Sequence, residues 1–318
     1  MKKKWTMVTV AALSFLAACN GVDDENEATQ TDENDEAVET AGVTDGNGGF
    51  LWKIEHEDTD VYLQGTIHVG REDFYPLNEQ TEAAYEEADV VLPEVDLVDV
   101  DQNEVETMMT GLSLLEEGQT LDELISDEAF EKLEAIFAEY GMPVELVQGF
   151  EPWFVENMLL TFSIADSDVD EGAGVDDYFL RRAVDDGKEI RELESIESQF
   201  NVLSGFSMET QVQLLEHRLQ NMDEAGEELE TMADNWVKGD IEGLIETWED
   251  LEDSNIDDEY AYELNEVRNY DMANTISDIL QENSGQTYFV IVGSLHLVAE
   301  PSIVSILEDE GYTVEFVY

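Results

Sequence analysis

Basic side chains are scarce in this sequence: 13 Lys and Arg stand against 79 Asp and Glu in 318 residues, a net charge of -66 at pH 7. A phosphate backbone is held by clustered Lys and Arg, and this surface would repel it, so the composition argues against sequence-independent nucleic-acid binding and no nucleic-acid partner is expected. Cysteine is nearly absent, and with Cys19 alone no disulfide framework can form within the chain. What is abundant argues against disorder, because 42% hydrophobic and 9% aromatic residues supply enough burial for a folded core. One sizeable domain is expected. The acidic excess makes the compact state repel itself at low ionic strength, and salt relieves that repulsion. A halophilic source is the simplest explanation. A cation-binding or partner-binding surface is the alternative, against which stands the spread of the charge along the whole chain.

Lys2, Lys3 and Lys4 precede an apolar run from Trp5 to Ala18, long enough for a signal peptide and short for a membrane-spanning helix. The run ends Leu16-Ala17-Ala18-Cys19, which resembles a bacterial lipobox, with Cys19 as the lipidated first residue of the mature chain. An uncleaved anchor with a chance cysteine is the other reading. Either way the rest is exported, with its expected place on the extracytoplasmic face of the cell membrane. Loss of residues 1–18 leaves ten basic and 79 acidic residues, a balance of -69, and any lipid on Cys19 leaves no thiol for catalysis. Residues 19–49 hold almost no large apolar side chains, so they are expected to form an acidic, disordered tether, with the folded domain at 50–318.

Leu51–Glu55 and Val61–Gln64 alternate apolar and polar residues around a short turn, which predicts a β-hairpin. A helix over 77–88 and a short strand at Asp89–Leu92 follow. The middle reads as mainly helical. Thr120-Leu121-Asp122-Glu123 has a capping-box pattern ahead of Phe130, Leu133 and Phe137, and further helices are expected over 153–163, 176–186, 209–237, 241–248 and 266–281. The aromatic and Met positions of these helices are most simply core. The continuous apolar run Tyr288–Val292 predicts a buried strand, followed by a helix near Pro301 and a last strand over 312–318, in the order of a parallel crossover unit. The expected architecture is α/β, a central sheet of N- and C-terminal strands with a large helical insertion.

Two of the four histidines share a setting. Val61–Gln64 runs into Gly65-Thr66-Ile67-His68, and Val290–Val292 runs into Gly293-Ser294-Leu295-His296. Glycine at a strand end permits a tight backbone path, and a histidine three residues later can reach the carboxyl edge of the sheet, where α/β sites lie. The alternative is that one or both are core or turn histidines satisfied by backbone groups. Glu94 ends a third apolar strand, Val90–Pro93. If the three strand ends adjoin, His68, His296 and Glu94 form a nitrogen and oxygen cluster able to bind a divalent metal, whose water could hydrolyse a carbonyl without Ser or Cys. His56 reads as a hairpin residue and His217 as a helix-surface residue.

These motifs, with Leu51-Trp52-Lys53-Ile54, Gly174–Phe179, Lys188 with Leu193-Glu194, Arg268-Asn269 with Met272, and Val292–Leu297, resemble the TraB/GumN family, which also contains the TIKI proteases and pheromone-shutdown proteins. They span about Phe50 to Tyr318. The resemblance implies a fold distantly similar to erythromycin esterases and, for the TIKI members, metal-dependent proteolysis with manganese or cobalt; zinc is a further candidate. By the same analogy His68 and His296 are ligands or catalytic bases, and Glu94 is a ligand or general base. Glu194 would orient a histidine, and Arg268 would hold a substrate carboxylate or an oxyanion. A structural ion pair is the alternative for both. Val298-Ala299-Glu300-Pro301 stands where the family is expected to carry a glycine just beyond the second histidine. The function expected is a lipid-anchored, metal-dependent hydrolase of peptides or a small molecule. Its alternative is a non-catalytic protein of the same fold that sequesters a peptide signal, and the family name adds an envelope or polysaccharide role as a third.

Overall fold

The computed structural model describes residues 48–96, 98, 100–252 and 258–318. The leader, Cys19 and nearly all of the tether fall outside the described residues. Gly48 and Gly49, the last tether positions, are buried, and the Gly49 N–H donates to the Trp236 carbonyl at 3.0 Å.

A six-stranded sheet carries β1 (Phe50–His56), β2 (Thr59–Thr66), β3 (Val90–Pro93), β4 (Glu189–Ile190), β5 (Thr287–Gly293) and β6 (Val314–Phe316) in the order β4-β3-β5-β2-β1-β6. β1 and β2 form the antiparallel hairpin that the alternation predicts, with Trp52 opposite Leu63. β5 lies parallel to β2 on one side and to β3 on the other, with Thr66 opposite Gly293 and Pro93 opposite Ile291. β4 extends the parallel set beyond β3. Four carboxyl ends therefore share one edge of the sheet. A parallel strand covered on both faces has no polar side to alternate with. Tyr288, Phe289, Val290, Ile291 and Val292 are accordingly all fully buried, each apolar side chain stabilising the fold by about 1.5–3 kcal/mol.

Helix α1 (Glu79–Glu87) links β2 to β3, and α2 (Gln102–Leu112), α3 (Asp127–Glu139), α4 (Pro152–Ala165) and α5 (Val175–Asp186) lie between β3 and β4. Between β4 and β5 come α6 (Ile196–Gly205), α7 (Met208–Asn221), α8 (Ala225–Lys238), α9 (Ile241–Glu252), α10 (Asp258–Ala261) and α11 (Arg268–Glu282). The chain closes with α12 (Leu295–Val298), α13 (Ile303–Asp309) and β6. Tyr85 of α1, Phe179 of α5 and Phe289 of β5 meet ring to ring, which seats both helices on the sheet. The helical insertion has its own apolar clusters, one around Leu133, Phe137, Leu159 and Leu215 and another around Val105, Trp153 and Phe200.

Several expectations change. Thr120 caps no α-helix: residues 121–123 form one 3-10 turn, and α3 starts later, where the Ser126 hydroxyl accepts from the Ala129 N–H. The long helix expected over 209–237 is two, separated at Met222–Glu224. The last strand does not complete a parallel crossover; β6 pairs antiparallel with β1, Trp52 opposite Phe316, at the far edge. Helices α2 and α6 and the two-residue β4 had no predicted counterpart.

Candidate functional site

The backbone at the strand ends places the side chains. The Ser294 N–H and hydroxyl both bond the Thr66 carbonyl at 2.9 Å, tying the two Gly-x-x-His turns together just past their strands. Beyond β4, the Leu193 N–H donates to the Pro93 carbonyl at 3.0 Å and the Glu194 N–H to the Glu94 carbonyl at 2.7 Å, so Glu194 arrives beside Glu94.

His68 sits at the rim, its side chain 56% exposed, with Nδ1 3.0 Å from Asp176 Oδ2. The other Asp176 oxygen accepts from the Thr66 hydroxyl at 2.5 Å. Asp176 lies in the first turn of α5, where a carboxylate complements the helix dipole. Gly174, which caps that helix, passes so close to the loop that a Cβ there would lie 2.4 Å from the His68 carbonyl oxygen. The Asp176 charge, opposed by partial desolvation of the ring and helped by the Asp176 hydrogen bond and by Glu94, pushes His68 up to about 9.

Glu94 is buried at the centre. Its Oε1 accepts from the Gly293 N–H at 2.6 Å, and its Oε2 accepts from Arg268 Nη2 at 2.7 Å and from Gln199 Nε2 at 3.1 Å. Burial alone would raise its pKa, but the Arg268 charge, the two histidines and the Gly293 bond hold it at about 2. Arg268 in turn reaches Glu194 through Nε at 3.0 Å and Nη2 at 2.7 Å, and the Leu264 carbonyl through Nη1 at 3.3 Å. Burial disfavours its charge, and the two carboxylates more than offset that, so its pKa rises. The segment Tyr262–Val267 just before it is a π-helical turn, a bulge that commonly marks functional sites.

His296, in α12, is buried, with Nδ1 2.6 Å from Asn269 Oδ1 and Nε2 3.8 Å from Glu94 Oε1. Burial, then the Arg268 charge, pushes it down to about 3, so the ring is neutral.

Of the expected residues, the structure brings Glu94, Glu194, Arg268 and His296 into direct contact or one bond apart, and His68 is coupled to them through charge. Arg268 spends its donors on Glu94, Glu194 and a carbonyl, which is the ion-pair alternative, and Glu194 bonds Arg268 and Gln199, with a histidine absent from those bonds. The residues that hold the histidines are Asp176 and Asn269. Both stand in motifs legible in the sequence, but nothing local marked an acid in a helix's first turn or an amide beside an arginine as a histidine's partner. His56 packs edge-on against Tyr312, and His217 lies half-buried on α7 beside Asn221.

The chemistry of the donors suits a divalent ion of borderline hardness: two imidazoles, each with Nδ1 already anchored to an oxygen, and a carboxylate. Among the described residues, however, no group of three His, Cys, Asp or Glu side chains is drawn together closely enough to hold an ion. Glu94 Oε1 and His296 Nε2 stand 3.8 Å apart. Two ligands of one tetrahedral ion with bonds of about 2.1 Å lie about 3.4 Å apart, so the donors fit in kind, and Glu94 and His296 would have to close by tenths of an ångström to share an ion.

An α/β sheet with histidines and carboxylates gathered at its parallel strand ends is the class that fold and site define. The model of the TraB/PrgY/gumN family matches residues 50–316, and the chain belongs to that family. It is similar to the zebrafish (Danio rerio) protein named Metalloprotease TIKI2, 25% identical over 84% of this chain, and to zebrafish Metalloprotease TIKI1, 24% identical over 84%. The chain spans about 60% of the length of these relatives. It is also 24% identical to the uncharacterised Escherichia coli protein YbaP over 77% of this chain and 87% of that one. No solved structure matches it.

Proposed function

We propose that the chain is a metal-dependent hydrolase of peptide bonds, anchored by a lipid on Cys19 to the extracytoplasmic face of the membrane. The observation that carries the hydrolytic reading is the adjacency of β2, β5 and β3, which gathers His68, His296 and Glu94 at one sheet edge. The names of the TIKI relatives support proteolysis and a metal. The basic, apolar and small-residue order of residues 1–19 supports the anchor.

His68 and His296, each through the ring nitrogen not bonded to its partner, are the nitrogen ligands in this reading, with Glu94 as the carboxylate. A divalent ion bound there supplies a water with a pKa near 7 and polarises the scissile carbonyl; manganese, cobalt and zinc are the candidates. Glu94 accepts from three donors that fix both of its oxygens and favour its charged form, so its part in this reading is charge and coordination. Arg268 and Gln199 keep that carboxylate in place. The Asp176-bound imidazolium of the metal-free state must lose a proton before it binds an ion.

The test is cleavage of a peptide library, read by mass spectrometry at high salt. Chelation is expected to abolish cleavage, a returned metal to restore it, and His68→Ala and His296→Ala each to remove it while the fold remains. Peptide cleavage retained in both variants overturns the proposal. Saturable binding of peptides that stay intact with every metal also overturns it, in favour of sequestration.

A further inference from the structure

His296 and His68 are held by unlike groups, and the His296 arrangement is decided by a third partner. Asn269, fully buried on α11, presents Oδ1 to His296 Nδ1 at 2.6 Å while its Nδ2 donates to the Pro301 carbonyl at 2.8 Å. The Pro301 carbonyl only accepts, so it fixes which end of the amide faces it. Turning the amide over would set two acceptor oxygens against each other at 2.8 Å and place N–H donors against His296. With Oδ1 facing the ring, Nδ1 of a neutral imidazole has to carry the proton, and the lone pair is left on Nε2, the nitrogen on the Glu94 side. The segment that supplies the carbonyl, Val298–Pro301, is the stretch that departs from the expected glycine. A second α11-side amide grips it too, Asn265 Nδ2 reaching the Ala299 carbonyl at 3.4 Å.

We propose that Asn269, aimed by the Pro301 carbonyl, is a positioning residue that locks His296 in the Nδ1–H tautomer and so presents Nε2 as an acceptor or ligand to the space beside Glu94. This deepens the hydrolase reading, since an unprotonated Nε2 is what metal binding or base chemistry needs, but the tautomer itself is a property of the protein before any substrate or ion arrives. Free histidine prefers the opposite tautomer, so the lock has a distinct signature.

The experiment is a long-range proton–nitrogen correlation spectrum of the full chain, metal-free, 15N-labelled at histidine, at neutral pH and high salt. His296 is assigned as the resonance pair missing from His296→Gln. The expected wild-type spectrum has Nδ1 at the protonated, pyrrole-type position and Nε2 at the unprotonated, pyridine-type position. In Asn269→Ala the two are expected to move toward exchange of these positions, with the other histidines unmoved. A wild-type His296 protonated on Nε2, or a folded Asn269→Ala with an unchanged pattern, overturns the proposal. The wild-type spectrum decides the tautomer even if the variant fails to fold. The expected tautomer in a protein that cleaves no peptide with any metal would uphold the positioning role and overturn the hydrolase reading alone.

Discussion

Two acid-lined regions of this molecule differ in what faces the acids. At the sheet edge, Glu94 and Glu194 are buried and share Arg268 and Gln199. Between α3, α4 and α8, a cleft of about 460 Å³ is lined by Glu139, Asp166, Asp223, Glu227 and Glu230, with no lysine or arginine among its lining residues. There the acids bond neutral groups: Asp166 accepts from the Tyr140 hydroxyl, and Glu230 from the Asp168 N–H at 3.0 Å. In a chain this acidic, carboxylates meet at the surface; what distinguishes the sheet edge is that its carboxylate side chains are desolvated and bonded to one shared cation.

The largest expected contrast comes from removing the shared cation. Arg268→Ala strands two buried carboxylates, and a destabilisation of about 3–5 kcal/mol is expected in urea melts at constant high salt. Glu227→Gln with Glu230→Gln in the cleft is expected to change stability by no more than about 0.5 kcal/mol in the same assay. A cleft effect as large as the Arg268 effect would erase the distinction.

Acid separates the regions next. The Glu94 pKa is lowered in the folded state, so its contribution is present above the ordinary carboxylate range, near 4.5, and is lost as pH falls toward about 2. Glu94→Gln is expected to flatten the stability profile over that window, which denaturant melts between pH 2 and 5 would show, whereas the cleft double variant leaves it in place.

The rim behaves in the opposite sense. The His68 pKa is raised from 6.5 to about 9, so the stability it adds is complete below 6.5 and lost as pH climbs through 9. Asp176→Asn is expected to abolish this alkaline loss. If the proposed function holds, an ion has to displace the His68 proton, and divalent affinity measured by titration calorimetry is expected to rise with pH until about 9 in the wild type and to level off earlier in Asp176→Asn. The smallest effect is that of salt on the cleft: its exposed carboxylates are screened, so the cleft variants should differ from wild type only at low ionic strength.

The sequence made some of this site legible and hid the rest. The two Gly-x-x-His turns were visible because each follows a strand whose pattern is strong, an alternating hairpin in one case and a continuous apolar run in the other. Glu94 was visible for the same reason. Glu194 carried only the family resemblance, because the strand that delivers it has two residues, too few for any period to register. The pairing of β6 is set by which sheet edge is vacant, and its three residues, largely exposed, hold no apolar stripe that says so. Likewise Asn269 stands in a motif of the resemblance, but its role is hidden until the Pro301 carbonyl, 32 residues away, gives its amide a direction.

Gly174 gives the molecule a point of mechanical vulnerability. Because the His68 carbonyl lies 2.4 Å from where its first side-chain carbon would be, even an alanine there acts as a wedge between the loop and the helix. It would part the imidazole from its carboxylate without altering a single ionisable group. Inactivation of this kind leaves the inventory of reactive atoms intact, so a homologue that keeps every histidine and acid but lacks this glycine would be a candidate for a silent copy of the site.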